Sequence, residues 1–164
     1  MNNKIVNKQI PIEKIVDIAN YFEDYKEKYD KLFEEDREKN KNLPFIERRP
    51  EYDNVSAEIK YTIAFHNGQT IKEKDFNWFI SNLNNTKIIK EIELYLSIRY
   101  FSKSDKDNLN SEYNSITASV DFRDAGMNLQ YSDVIINVNT TNQERESNNI
   151  YSTIMNTLEE TEDR

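Results

Sequence analysis

Four stretches of this chain alternate apolar and polar residues with a period of two, which is the signature of strands in a sheet with one greasy and one wet face. Ile59, Tyr61, Ile63 and Phe65 alternate with Glu58, Lys60, Thr62 and His66. Over 88–101, Ile92, Leu94, Leu96, Ile98 and Tyr100 point one way while Glu91, Glu93, Tyr95, Ser97 and Arg99 point the other. That strand is unusually long. Ile116, Ala118, Val120 and Phe122 alternate with Thr117, Ser119, Asp121 and Arg123, and Val134, Ile136 and Val138 mark a fourth strand. The turn Asp124-Ala125-Gly126 between the third and fourth is too short for a crossover, so the last three strands read as an antiparallel meander. Each strand being sided, the helices are expected to cover mainly one face of the sheet.

The segment from Pro11 to about Lys39 has no internal glycine or proline and is dense in Glu, Asp and Lys, the composition of a long exposed helix. Ile15, Ile18, Phe22, Tyr25, Tyr29 and Leu32 recur at steps of three and four, making one continuous stripe. The stripe can dock on the chain's own sheet or pair with a second copy. Asp24 with Lys28, Glu27 with Lys31 and Glu35 with Lys39 have the favoured acid-before-base order, each worth roughly 0.3 kcal/mol on an exposed face. Pro44 and Pro50 in 40–54 make that segment a connecting loop. A short helix over 72–83 carries Phe76, Phe79, Ile80 and Leu83 on one face, with Trp78 off it. Thr141-Asn142-Gln143-Glu144 has the spacing of a capping box and predicts a final helix over 141–161, lined by Ile150, Ile154 and Leu158.

Composition removes whole classes of chemistry. The chain contains no cysteine, which excludes disulfides, thiol nucleophiles, iron–sulfur clusters and thiolate zinc sites. It has two glycines, Gly68 and Gly126, so phosphate cradles and nucleophile elbows built on several glycines are excluded too. A single histidine, His66, rules out an imidazole zinc cluster. The formal net charge of -8 argues against a dedicated nucleic-acid binder, whose affinity rests on basic groups neutralising phosphates. No apolar run is long enough for a signal-peptide core or a membrane span, so no membrane insertion and a cytoplasmic location are the expectation.

Few constellations remain. His66, beside Asn67-Gly68 at a strand end, is a candidate general base that needs an orienting carboxylate and a nucleophile. Asp105 and Asp107 have the spacing of the first two acids of a calcium-binding loop, but Leu109, Asn110 and Ile116 stand where a ligand, the turn glycine and the closing glutamate belong. Arg48-Arg49 could grip a carboxylate or phosphate in bidentate fashion, but two adjacent arginines in an acidic chain are more often local charge compensation. On the wet face of the sheet, Tyr95, Arg99 and Arg123 are the residue types that most often anchor interfaces.

The sequence therefore predicts one α+β domain over 1–164. A four-stranded, mostly antiparallel sheet is packed on one face by the long N-terminal helix (11–40), and the sheet region spans 56–139. A short helix lies between the first two strands, where a parallel pair is permitted, and a helix closes the chain. The expected function is a non-catalytic interaction module, binding a protein partner or a second copy through its helix stripe or its wet sheet face, with no cofactor or metal. The alternatives are a small hydrolase or isomerase with a pocket between helix and sheet, and an acidic inhibitor that mimics nucleic acid.

Overall fold

The opening stripe folds as its spacing predicts. In the computed structural model, which describes residues 2–44, 56–84, 88–101, 113–125, 129, 131–141 and 143–159, helix α1 runs Ile12–Lys41. Strand β1 (Asn2–Gln9) precedes it. After it come β2 (Ser56–Phe65), β3 (Thr70–Glu73), α2 (Phe76–Asn82), β4 (Ile89–Phe101), β5 (Tyr113–Asp124), β6 (Tyr131–Thr140) and α3 (Glu144–Glu159). The strands form one sheet in the order β1-β6-β5-β4-β2-β3, and every ladder is antiparallel.

The α+β class, the long first helix and the antiparallel pairing follow the sequence reading, but among the described residues the sheet is six-stranded, not four-stranded. Both added strands are edges. β1 pairs only with β6, through a register shift between Ile5 and Lys8, so it carries no buried alternation to detect. β3 is four residues long and overlaps the start of the region predicted as helix (72–83), and the helix begins later, at Phe76, where Asp75 caps it by accepting from the Asn77 N–H. This hairpin also removes the permitted parallel pair. β2 turns back into β3 at once, and β4 then returns beside β2 antiparallel. The predicted capping box is likewise corrected: α3 begins at Glu144 itself, and the Thr141 hydroxyl meets that of Ser115 at 3.0 Å.

All three helices share one face of the sheet. Ile59, Tyr61, Ile63, Ile92, Leu94, Leu96, Ile98, Ile116, Val120, Phe122, Val134, Ile136 and Val138 are buried beneath Ile15, Ile18, Phe22 of α1, Phe79 of α2 and Ile150 and Ile154 of α3. Phe79 stacks on Tyr61 at 4.5 Å between ring centroids and 12° between planes, which places α2 on the same side. Tyr25 donates to a Glu146 carboxylate oxygen at 2.8 Å, tying α1 to α3; burial first, and that carboxylate second, raise the pKa of its hydroxyl. Further along α1, Tyr29 and Phe33 pack on Tyr100 of β4 at 5.5 and 6.2 Å.

The stripe departs from prediction at its end. Phe33 is buried and Leu32 is 42% exposed, because the larger ring can reach Tyr100 while its neighbour turns outward by about 100° per residue along the helix. Leu32→Glu is therefore expected to shift urea stability by no more than about 0.5 kcal/mol, whereas Phe33→Ala should cost about 3 kcal/mol. Equal costs would contradict this facing of the helix.

Candidate functional site

The register fixes the other face of the sheet row by row. One row runs Lys60, Tyr95, Ser119, Asn137; the next runs Lys72, Thr62, Glu93, Asp121, Ile135, Lys4; a third runs Thr70, Ala64, Glu91, Arg123, Asp133. Among the described residues no helix packs on these rows, and most of their side chains are half-buried by one another. This is the wet face that alternation predicted, now five cross-strand ladders wide.

Its charges are sorted. Along the β2–β3 edge stand Lys60, Lys72 and Lys74, and Glu58 is paired with both Lys60 and Lys74 at 3.5 Å. Toward the middle stand Glu91, Glu93, Asp121 and Asp133, with Arg123 reaching Glu91 at 3.1 Å and Asp121 at 3.3 Å. Glu93 and Asp121 are direct cross-strand partners. Like charges so placed destabilise a sheet, and here one carboxylate is also largely buried. The Asp121 side chain is 16% exposed, and its Oδ1 has no hydrogen-bond partner among the described residues. Burial foremost, then Glu91 and Glu93, push its carboxyl up to about 6 from the ordinary 3.8, against the lowering pull of Arg123.

Tyr95, Arg99 and Arg123 all lie on this face, as expected, but the structure does not bring them together. Tyr95 sits mid-strand with Lys60 Nζ 6.0 Å from its ring centre. Arg99 pairs in register with Ser115 and Arg123 with Glu91, eight residues apart along β4, or about 27 Å. The helix-stripe residues Ile15, Ile18, Phe22, Tyr25 and Tyr29 are buried against this chain's own core, and Leu32 alone of the predicted six is exposed. The lysine row was missed by sequence reading because Lys72 and Lys74 join Lys60 only through the unpredicted β3.

His66 has acquired a carboxylate. Its Nε2 lies 3.2 Å from Asp124 Oδ2 at the far end of the sheet, and Asp124 also accepts from the Leu129 N–H. Leu129 is held at a positive φ of 69° in this turn, a conformation that costs a branched side chain about 1 kcal/mol. The hydroxyl closest in register, Ser132, is buried and donates to the Leu129 carbonyl at 2.8 Å. That proton is committed to the turn, and the histidine–carboxylate pair joins two hairpin ends. Arg48-Arg49 and the Asp105–Asp107 loop lie outside the described residues, among which no cluster of metal-ligating side chains occurs. No helix among them is long and apolar enough to cross a membrane.

Comparison with family models, with curated proteins and with solved structures gives no match.

Proposed function

We propose that this chain is a non-catalytic interaction module whose recognition surface is the open face of the six-stranded sheet, and that the surface takes another folded protein. The observation that carries the reading is the sidedness of the molecule. Three helices and the apolar side of every long strand are spent on one face, while the other holds sorted charges around a half-buried tyrosine. A face built only for water has no need to set Glu93 opposite Asp121 at a cost in stability, and local rules are broken mainly where function requires it. A partner bringing cationic groups would relieve that conflict. Tyr95 supplies rigid area at the centre, the residue type and position typical of an energetic anchor.

The test is differential co-purification from the cells that make the protein, using tagged wild type, Tyr95→Asp and Leu32→Glu as an exposed helix control. One protein is expected in near-stoichiometric amount with wild type and with the control, and lost with Tyr95→Asp. Retention of the same proteins by all three chains would overturn the reading.

A further inference from the structure

The open face is complementary to itself, and we infer that its partner is a second copy of this chain, docked face to face across a two-fold axis parallel to the strands. The inference rests on the reading of that face as a recognition surface and names its occupant. In a closed dimer the same patch serves both copies, so a residue meeting another across the axis is met by it in return. An axis running between β2 and β4 superposes β2 of one copy on β4 of the other, and β3 on β5. Because such an axis leaves position along the strands unchanged, rows meet matching rows. Lys60 then falls over the partner copy's Tyr95 and beside its Glu93, and Lys72 falls over its Asp121, both being in the same register row. Each contact occurs twice.

The charge distribution suits this occupant. Three lysines against one carboxylate on β2 and β3 meet three carboxylates, Glu91, Glu93 and Asp121, against two arginines, Arg99 and Arg123, on β4 and β5, so a net-positive edge meets a net-negative centre. The interleaving also separates this surface from a uniformly acidic nucleic-acid mimic. The four strands that overlap across this axis, β3, β2, β4 and β5, lie about 4.8 Å apart with rows spanning about 27 Å, a flat area of about 400 Å² per copy, about half that of a standard interface and in the range of a weak, reversible dimer. Two sheets can pack this way with their strands within about 30° of each other. Tyr95 would lie near the axis, where a central aromatic is most fully enclosed.

Sedimentation equilibrium on the purified full chain, from micromolar to millimolar, tests the proposal with two charge-reversed chains. Wild type is expected to dimerise. Lys60→Glu alone and Glu93→Lys alone should each dimerise at least about tenfold more weakly, since reversal sets like charges against each other twice. Mixed in equal amounts, the two variants should recover a heterodimer, because acid then faces base at both copies of the contact. Glu93→Lys removes a like-charged neighbour of Asp121, so it should unfold in urea no earlier than wild type, which separates lost docking from lost folding. A wild type that stays monomeric at every concentration overturns the second copy and leaves the co-purification experiment to judge the face itself. A dimer indifferent to both reversals, or variants that do not rescue each other, would place the interface elsewhere and overturn the inference.

Discussion

Phe22→Ala is expected to cost about 3–5 kcal/mol, the range for deleting a fully buried ring. Phe22 is 0% exposed at the middle of α1, in the core that joins the helix to β2 and β4. The loss has two parts. The removed ring forfeits its transfer from water, about 1.5–3 kcal/mol, and the gap closes poorly because α1 is held by buried Ile15 and Ile18 on one side and Tyr25 and Tyr29 on the other. Against a typical total of about 5–15 kcal/mol this brings the fold near its limit. Phe22→Leu keeps most of the volume and should cost about 1.5 kcal/mol. Urea unfolding reads both through the midpoint at unchanged slope. A cost below about 1 kcal/mol for the alanine variant would mean that α1 does not seal the sheet.

Asp121→Asn has the opposite sign. With the carboxyl at about 6 in the folded chain and 3.8 as its ordinary value, the native state holds a proton between these limits that the unfolded chain has released. Stability therefore falls as pH rises through that window and stays low above it. Two pKa units correspond to at most about 3 kcal/mol. Asparagine carries no charge to bury, can still accept from Arg123, and offers an amide N–H toward Glu91 or Glu93. Above pH 7 the variant should be more stable than wild type by about 2 kcal/mol, the lost Arg123 attraction accounting for the shortfall. Below pH 4 the gain should vanish. Thermal or urea unfolding at matched ionic strength across that range reads the difference, and a difference independent of pH would contradict the account of the carboxylate pair. If the open face binds a cationic partner, the same substitution should also weaken binding, so stability and recognition move in opposite directions at one residue.

How much of this was legible in the sequence depended on burial. β4, β5, β6 and the long part of β2 announce themselves because one face of each is sealed and period two leaves no freedom. α1 announces itself by steps of three and four, and the mistake at Leu32 and Phe33 arose because both fit that spacing and only Tyr100, far along the chain, decides between them. The edges were silent. β1 reads NNKIVNKQ and β3 reads TIKE, and a strand paired on one side with polar groups around it need not alternate. The candidate site suffered for that reason. Tyr95 could be named from its own strand, whereas the lysine row needs β3 beside β2, and the opposition of Glu93 and Asp121 needs a register that no local pattern encodes. The Asp124 carboxylate beside His66, 58 residues away, was equally invisible.

The absence of cysteine gives a direct probe of the two faces. Ala118 and Ser119 are adjacent on β5, the first 1% exposed under the helices and the second on the open face. Single Ala118→Cys and Ser119→Cys chains, reacted with a water-soluble thiol reagent, place a reporter on each side at almost the same point of the sheet. In dilute solution the thiol at 119 should react orders of magnitude faster than that at 118, which is reached only when the fold opens, and only the former should become protected as the protein is concentrated. Equal rates at the two positions, whether both fast or both slow, would contradict a sheet sealed on one side and open for recognition on the other.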